Sequence, residues 1–318
     1  MLTDERWSEL LERRATEPEA ALHALRNRTR RPLLTDGRLF IVAADHTARG
    51  MLGVGTEPFV MADRRRLLES LLVALAHPGV DGVLGSADVV EELALLGALD
   101  NKLAFGTMNR GGVMGAAWEL DDRMTAYDAQ SLAECGLDGG KVLLRIADDD
   151  AGTAATIEAC ARAVSECAER ALPIMVEPLP YHHTGPVAPG TARLLDDEDR
   201  LLRAIAIGAS LGHTTSYTWL KVPAGRDPRR LLAVSTLPAL ILGGAPGPDP
   251  EATYASWEDA MSVPTVRGLV VGRSLLYPAD GDVAAAIERA ARIVRPARDA
   301  ATRAPAGPAA GSVTGSPA

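Results

Sequence analysis

Apolar positions along this chain fall into two alternating patterns. Short uninterrupted runs of branched and aliphatic residues are separated by longer segments in which apolar residues recur every three or four positions. The first pattern belongs to strands covered on both faces, the second to amphipathic helices. In order, the runs predict strands at Arg38–Asp45, Gly82–Gly85, Lys102–Thr107, Gly140–Ile146, Leu172–Glu177, Ser216–Pro223, Pro238–Gly244 and Gly268–Gly272. The periodic segments predict helices at Asp63–Ala76, Ala87–Gly97, Ala126–Cys135, Thr153–Arg170, Asp196–Leu211, Pro228–Ser235, Pro250–Met261 and Gly281–Ile293. Strand and helix alternate eight times, which predicts an α/β fold of the (β/α)8 or TIM-barrel type.

Two shorter helical patterns, Asp4–Arg14 and Glu17–Asn27, precede the first strand, with Asp4 and Thr16 as candidate N-caps. They are expected to cover the bottom of the barrel. The expected organisation is one barrel domain over residues 1–295, with N-terminal helices to residue 37 and the barrel from residue 38. Pro296–Ala318, rich in alanine, proline, glycine and serine, has too few large apolar residues to offset its ordering entropy and is expected to be disordered. The Asn109–Arg123 connection is the longest before the fourth strand, and a loop of that size is usually functional or mobile. Its Arg110-Gly-Gly112 could approach a phosphate or belong to a solvated excursion.

Composition narrows the function. With 47% hydrophobic and 24% charged residues, the chain is ordinary for a soluble globular protein. No apolar run reaches the ~18–20 residues of a membrane span, and Met1–Ala24 lacks the plan of a signal peptide, so the expected location is cytoplasmic. A formal charge of −9 without a stripe of cations argues against nucleic acid but leaves an anionic small molecule open. Cys135, Cys160 and Cys167 show no CxxC pairing and read as thiols of a reducing compartment.

Lysine occurs at only three positions, Lys102, Lys141 and Lys221, and the last sits inside the run Ser216-Tyr-Thr-Trp-Leu-Lys-Val-Pro223. Burial disfavours the charged form of a lysine, and a neutral lysine is a nucleophile able to form a Schiff base with a ketone or aldehyde. Alternatively, its stem follows the barrel wall while its head reaches water. Three further ionisable residues interrupt apolar strands near their ends: Asp45, Lys141 and Glu177. Each points inward if its strand is read with period two, towards the C-terminal mouth where barrel active sites lie. Isolated buried charges cost several kcal/mol, so charges of alternating sign on four strands imply mutual partners.

That set supports imine chemistry. Lys221 would attack a carbonyl, Lys141 would repel its proton and bind a substrate oxygen, and Glu177 and Asp45 would move protons, with the roles of the two acids exchangeable. The last two strands close on Gly243-Gly244 and on Gly272-Arg273. Loops at those places commonly cradle phosphate, which makes these four residues a candidate anion site.

The turn Asp45-His-Thr-Ala-Arg-Gly50, Val142 following Lys141, the Val-Glu177 strand end, Trp219-Leu-Lys221 and Gly268-Leu-Val-Val-Gly-Arg273 together resemble class I, Schiff-base aldolases. The superfamily is that of the deoxyribose-phosphate, fructose-bisphosphate and tagatose-bisphosphate enzymes. The likeness is greatest to an actinobacterial barrel branch linked to inositol catabolism. It implies an imine at Lys221 with Asp45, Lys141 and Glu177 in the tagatose-bisphosphate aldolase pattern. It also implies a phosphorylated ketose or keto-acid substrate, with 2-deoxy-5-keto-gluconate 6-phosphate and fructose 1,6-bisphosphate as candidates. No cofactor and no metal are expected, and a homo-oligomer is. Two features depart from the pattern: Asp45-His46 replaces the Asp-Gln or Asp-His-Gly start of relatives, and Gly243-Gly-Ala-Pro-Gly247 is an unusual strand-seven loop. The rival readings are a metal-dependent lyase or hydrolase, using Asp45, His46, Glu177, His182 and His183, and a non-catalytic phosphosugar-binding barrel. Metal-ligand spacing of the HxH or i, i+4 kind is lacking.

Overall fold

The computed structural model describes residues 2–184, 191–247 and 249–296. Eight parallel strands close into a barrel: β1 (Leu39–Ala44), β2 (Gly82–Gly85), β3 (Leu103–Thr107), β4 (Gly139–Ile146), β5 (Ile174–Thr184), β7 (Thr218–Val222), β8 (Ala239–Leu242) and β9 (Val266–Val271). The ring closes through β1–β9 and β4–β5, and β6 (Thr191–Leu194) stands outside it, antiparallel to the far end of β5. The predicted TIM barrel is therefore the observed fold. The hairpin of β5 with β6 was not foreseen.

Helices α3 (Arg64–Ala76), α4 (Ala87–Leu95), α5 (Ala129–Glu134), α6 (Gly152–Glu169), α7 (Glu198–Gly208), α8 (Pro228–Leu232), α9 (Pro250–Met261) and α11 (Val283–Val294) surround the strands, and the short α10 (Arg273–Leu276) follows β9 directly. Several begin at an aspartate whose carboxylate accepts backbone N–H groups left free by the first turn. Asp63, Asp197, Asp227, Asp249 and Asp282 all do this, and Asp128 forms a capping box with Ser131. At the N-terminus, α1 (Asp4–Thr16) is capped by Thr3 rather than Asp4, because the Thr3 hydroxyl accepts from the Arg6 amide at 3.3 Å. Thr16 ends α1 instead of starting α2 (Ala20–Asn27).

The segment after α2 covers the bottom of the barrel. Arg28 and Arg30 bind the buried Asp138 at 2.6 and 2.8 Å, and Arg31 and Arg295 bind the buried Asp81 at 2.7 and 2.8 Å. Asp81 also accepts from the Phe40 amide at 2.7 Å, so one carboxylate ties Arg31 and Arg295, from the segments on either side of the barrel sequence, to β1. The tail expected to be disordered starts at Pro296, and from residue 297 it lies outside the described residues.

Period-two alternation divides the apolar strand residues into two cores. One face of each strand packs against the helices, as with Phe40, Val42, Val83, Val142, Val176, Leu220 and Ile241. The other fills the barrel, with Leu39, Ile41, Ala43, Leu84, Leu103, Phe105, Met175, Trp219, Leu240 and Val270 in contact. Each such fully buried side chain contributes about 1.5–3 kcal/mol. Tyr217, which shares the parity of Trp219, lies below β7 and is 38% exposed, so only the tryptophan belongs to the interior. No helix among the described residues is long and apolar enough to cross a membrane.

Candidate active site

The interior series continue upward into charge. Above Leu39, Ile41 and Ala43 the next inward position is Asp45; above Met175 it is Glu177; above Trp219 it is Lys221; and Lys141 is inward on β4. The register β5–β7 pairs Val176 with Leu220, so Glu177 and Lys221 emerge side by side one residue higher. The relative exposures are 3% for Asp45, 2% for Lys141, 7% for Glu177 and 4% for Lys221.

All four sequence candidates meet. Lys221 Nζ lies 3.0 Å from Glu177 Oε1, Lys141 Nζ lies 2.5 Å from Glu177 Oε2, and Lys141 Nζ lies 3.3 Å from Asp45 Oδ2. Both Glu177 oxygens are thus engaged by ammonium groups. On Asp45 the partners crowd one oxygen: Arg110 also binds Oδ2, while Oδ1 accepts no hydrogen bond among the described residues.

Electrostatics follow from this chain of charges. Burial pushes the Glu177 carboxyl up, but Lys141 and Lys221 outweigh it and bring it down to about 2. Burial likewise opposes ionisation of Asp45, and Lys141, Arg110 and Lys221 together hold it well below the ordinary carboxylate range. Lys141 is lowered to about 8, because desolvation, with help from Lys221 and Arg110, exceeds the support of Asp45 and Glu177. His46, next to Asp45, is lowered to about 3 by desolvation and by Arg273 and Lys221, against the pull of Asp45. It is therefore a neutral imidazole at pH 7, with a buried Nδ1 that lacks a hydrogen-bond partner among the described residues.

The four residues expected to hold an anion lie at the ends of β8 and β9, but they differ in kind. A side chain on Gly272 would run into the Ala43 carbonyl and the His46 ring, and one on Gly243 into Val271, so both glycines are required by packing of strand ends. Gly244, at φ +65, faces open space. Arg273 is half-buried, and its side chain has no ion pair or hydrogen bond among the described residues, with its Nε fully enclosed. It feels Glu177, Tyr181 and Asp45 electrostatically, which places it at the mouth. Lys141, Lys221, Arg110 and Arg273 are four cations against the two carboxylates Asp45 and Glu177, so the mouth has cationic capacity to spare.

Three arginines on or beside the β3–α5 loop were not legible as site residues. From the sequence, Arg110-Gly-Gly112 could approach a phosphate or belong to a solvated excursion. Instead Arg110 is committed to Asp45, and Gly112 is enclosed by Arg145, Glu119 and Asp122, which leaves its surface unavailable to a ligand. Arg49 and Arg145 are 2% exposed and both reach Asp122 in that loop. Their partners are far apart in sequence, so no local pattern could reveal them. His183, on the extension of β5, binds Asp150 at 2.6 Å, and His182 lines a cavity with Asp148, Tyr181, Arg200 and Arg203 between the β4 and β5 ends and α7. Neither joins Glu177, and among the described residues no cluster of three metal-ligating side chains forms.

Fold and site together define a (β/α)8 barrel with a paired-lysine, paired-carboxylate centre at its C-terminal mouth. Residues 37–291 match the Cgl0159-like family, and the chain belongs to it. The crystal structure of Cgl0159 from Corynebacterium glutamicum is similar at 48% identity, covering 92% of this chain and 97% of that one, with a TM-score of 0.88. An archaeal fructose 1,6-bisphosphate aldolase is similar at 18% identity over 81% of this chain and 94% of its own, with a TM-score of 0.59. A Schiff-base-forming fructose-1,6-bisphosphate aldolase gives 17% identity, 86% and 99% coverage, and a TM-score of 0.60. At those identities the two aldolases share the fold. A search of curated proteins found no match.

Proposed function

We propose that this protein is a class I aldolase that cleaves a phosphorylated ketose or keto acid through an imine on Lys221. The observation that carries the reading is the Lys221–Glu177–Lys141 bridge, in which one carboxylate serves two ammonium groups on the floor of the barrel mouth. Asp81 and Asp138 at the barrel bottom also hold two cations each, but those are arginines, which stay charged and cannot form an imine, whereas both cations on Glu177 are lysines. A second lysine on the same carboxylate supplies what imine formation needs, a proton acceptor and a proton donor within one hydrogen bond of the nucleophile.

In the proposed reaction Lys221 gives its proton to Glu177 and attacks the substrate carbonyl carbon as the free amine. The carbinolamine hydroxyl then leaves as water, with a proton delivered from Lys141 or Glu177, and the iminium forms. Asp45 Oδ1, the oxygen without a partner, accepts the proton of the hydroxyl on the carbon beyond the scissile bond. That carbon becomes an aldehyde, the carbon–carbon bond breaks, and its electron pair enters the iminium to give an enamine. Protonation of the enamine carbon and attack of water return Lys221 and release the second product. Arg273 and the backbone around Gly244 are proposed to hold the substrate phosphate, since this guanidinium has no protein partner among the described residues.

Fold likeness to the Schiff-base-forming fructose-1,6-bisphosphate aldolase is consistent with this chemistry, and the residues above supply the argument for it. The test is a screen of phosphorylated ketoses and keto acids, headed by 2-deoxy-5-keto-gluconate 6-phosphate and fructose 1,6-bisphosphate, for aldehyde release coupled to reduction by a dehydrogenase. Release of aldehyde by the wild type and not by Lys221→Met supports the proposal, whereas equal release by both contradicts it.

A further inference from the structure

The proposed cleavage uses Asp45 but makes no use of the guanidinium beside it. Arg110 arrives from the β3–α5 loop, and its ion pair with Asp45 is sealed, with side-chain exposures of 6% and 4%. It takes Oδ2, the oxygen that also faces Lys141 at 3.3 Å.

The loop is built so that Arg110 stays there. The preceding Asn109 is stitched to β4, its amide nitrogen donating to the Leu143 carbonyl at 2.6 Å and its oxygen accepting from the Leu143 amide at 2.8 Å. The Arg110 and Gly111 amides both donate to the Arg123 carbonyl, at 3.1 and 3.2 Å. Arg49 donates to the Asn109 and Gly112 carbonyls at 2.6 and 3.1 Å and binds Asp122. Arg145 donates to Gly112 at 3.1 Å, to Glu119 at 2.7 Å and to Asp122 at 3.3 Å. Two buried arginines and two buried acids around one turn carry a desolvation cost of several kcal/mol per ion before pairing. None of the four belongs to the apolar clusters of the barrel, and what this network secures is the turn that carries Arg110.

We infer that Arg110 is a positioning residue for carbon–carbon cleavage: with Lys141 it anchors Asp45 Oδ2, so that Oδ1 alone meets the substrate hydroxyl. The inference rests on the class I reading above. The groups facing Asp45 are Arg110 from the β3–α5 loop, Lys141 from β4, Glu177 from β5, Lys221 from β7, Arg273 after β9 and the neighbouring His46. Without Arg110 the carboxylate keeps Lys141 but is free to rotate, and its proton affinity rises.

The experiment compares wild type, Arg110→Met and Arg110→Lys in borohydride trapping of the Lys221 imine and in kcat and KM across pH 3–9, with melting temperature as the fold control. Arg110→Met is expected to trap imine as the wild type does, to lose kcat by roughly ten- to a hundredfold at little change in KM, and to move its acidic limb to higher pH. Arg110→Lys should restore much of the loss. Unchanged kcat in Arg110→Met, or loss of imine trapping along with turnover, overturns the inference. If Arg110→Met does not fold, Arg110→Gln, which keeps a polar side chain without the charge, takes its place: retained trapping with a lowered kcat and a raised acidic limb supports the inference, and unchanged kcat overturns it. A wild-type protein that traps no imine is a separate outcome, and it removes the class I reading together with the role given to Arg110.

Discussion

Lys221 Nζ sits 3.0 Å from Oε1 of Glu177, at the top of an interior stack that runs down through Trp219. The other Glu177 oxygen is held by Lys141 at 2.5 Å, so this carboxylate cannot rotate without breaking a charged hydrogen bond. Glu177→Gln keeps the shape and removes the charge, and it replaces one acceptor by an NH2 group facing an ammonium. Turnover should fall by about 10²–10⁴, the range of a lost acid–base group. Stopped-flow measurement of imine formation should show the loss in that step rather than in substrate affinity.

The pH dependence follows from Lys141. Lowered to about 8, it is charged below that pH and neutral above it, so steps that need its proton should fail as pH rises through about 8. A pH–kcat profile should show this alkaline limb, and Lys141→Arg should abolish it if the variant remains active, because guanidinium stays charged. An identical limb in Lys141→Arg would exclude Lys141 as its source. On the acid side, Asp45 and Glu177 have folded values below their ordinary ones. The stability they contribute is present above the unfolded values of ~4 and is lost as pH falls towards about 2. Melting temperature should therefore drop in that window, and less so in Glu177→Gln.

Arg273 is the cation at the mouth that lacks a protein partner among the described residues. If Arg273 holds the substrate phosphate as proposed, Arg273→Ala removes a charge-assisted contact worth ~1.5–3 kcal/mol and should weaken phosphorylated substrates roughly ten- to a hundredfold. An unphosphorylated analogue should be nearly indifferent. Equal losses on both would assign Arg273 to barrel packing. Gly272→Val is a poor probe of phosphate binding, since its side chain would strike the Ala43 carbonyl, and Gly244→Ala would strain a backbone at φ +65, so Arg273 is the residue to vary.

Chelation should leave activity unchanged. A divalent ion at Glu177 would have to displace two lysines, and His183 is bound to Asp150 on the extension of β5. Loss of turnover in EDTA with recovery on adding zinc would favour the metal-dependent alternative.

The barrel and the four central residues were legible because both depend on local periodicity. Alternation decides which strand residues face inward, and a lysine at an inward position stands out in a chain that has three. The extension of β5 was not legible, because Pro178 and Pro180 argue against a strand. They are tolerated here since the β7 pairing ends at Val176 with Leu220, after which one edge of β5 has no barrel neighbour demanding N–H donors. The arginine network around Asp122 was hidden for a different reason. Arg49 and Asp122 are 73 residues apart, and only tertiary folding brings them together.

The central claim is the covalent role of Lys221, and borohydride trapping with a reactive ketose phosphate tests it most directly. Reduction followed by peptide mass mapping should place the substrate mass on the peptide that carries Lys221, and Lys221→Arg should abolish both label and turnover while its melting curve shows a folded protein. A label on Lys141 or on Lys102, or full turnover in Lys221→Arg, would contradict the account.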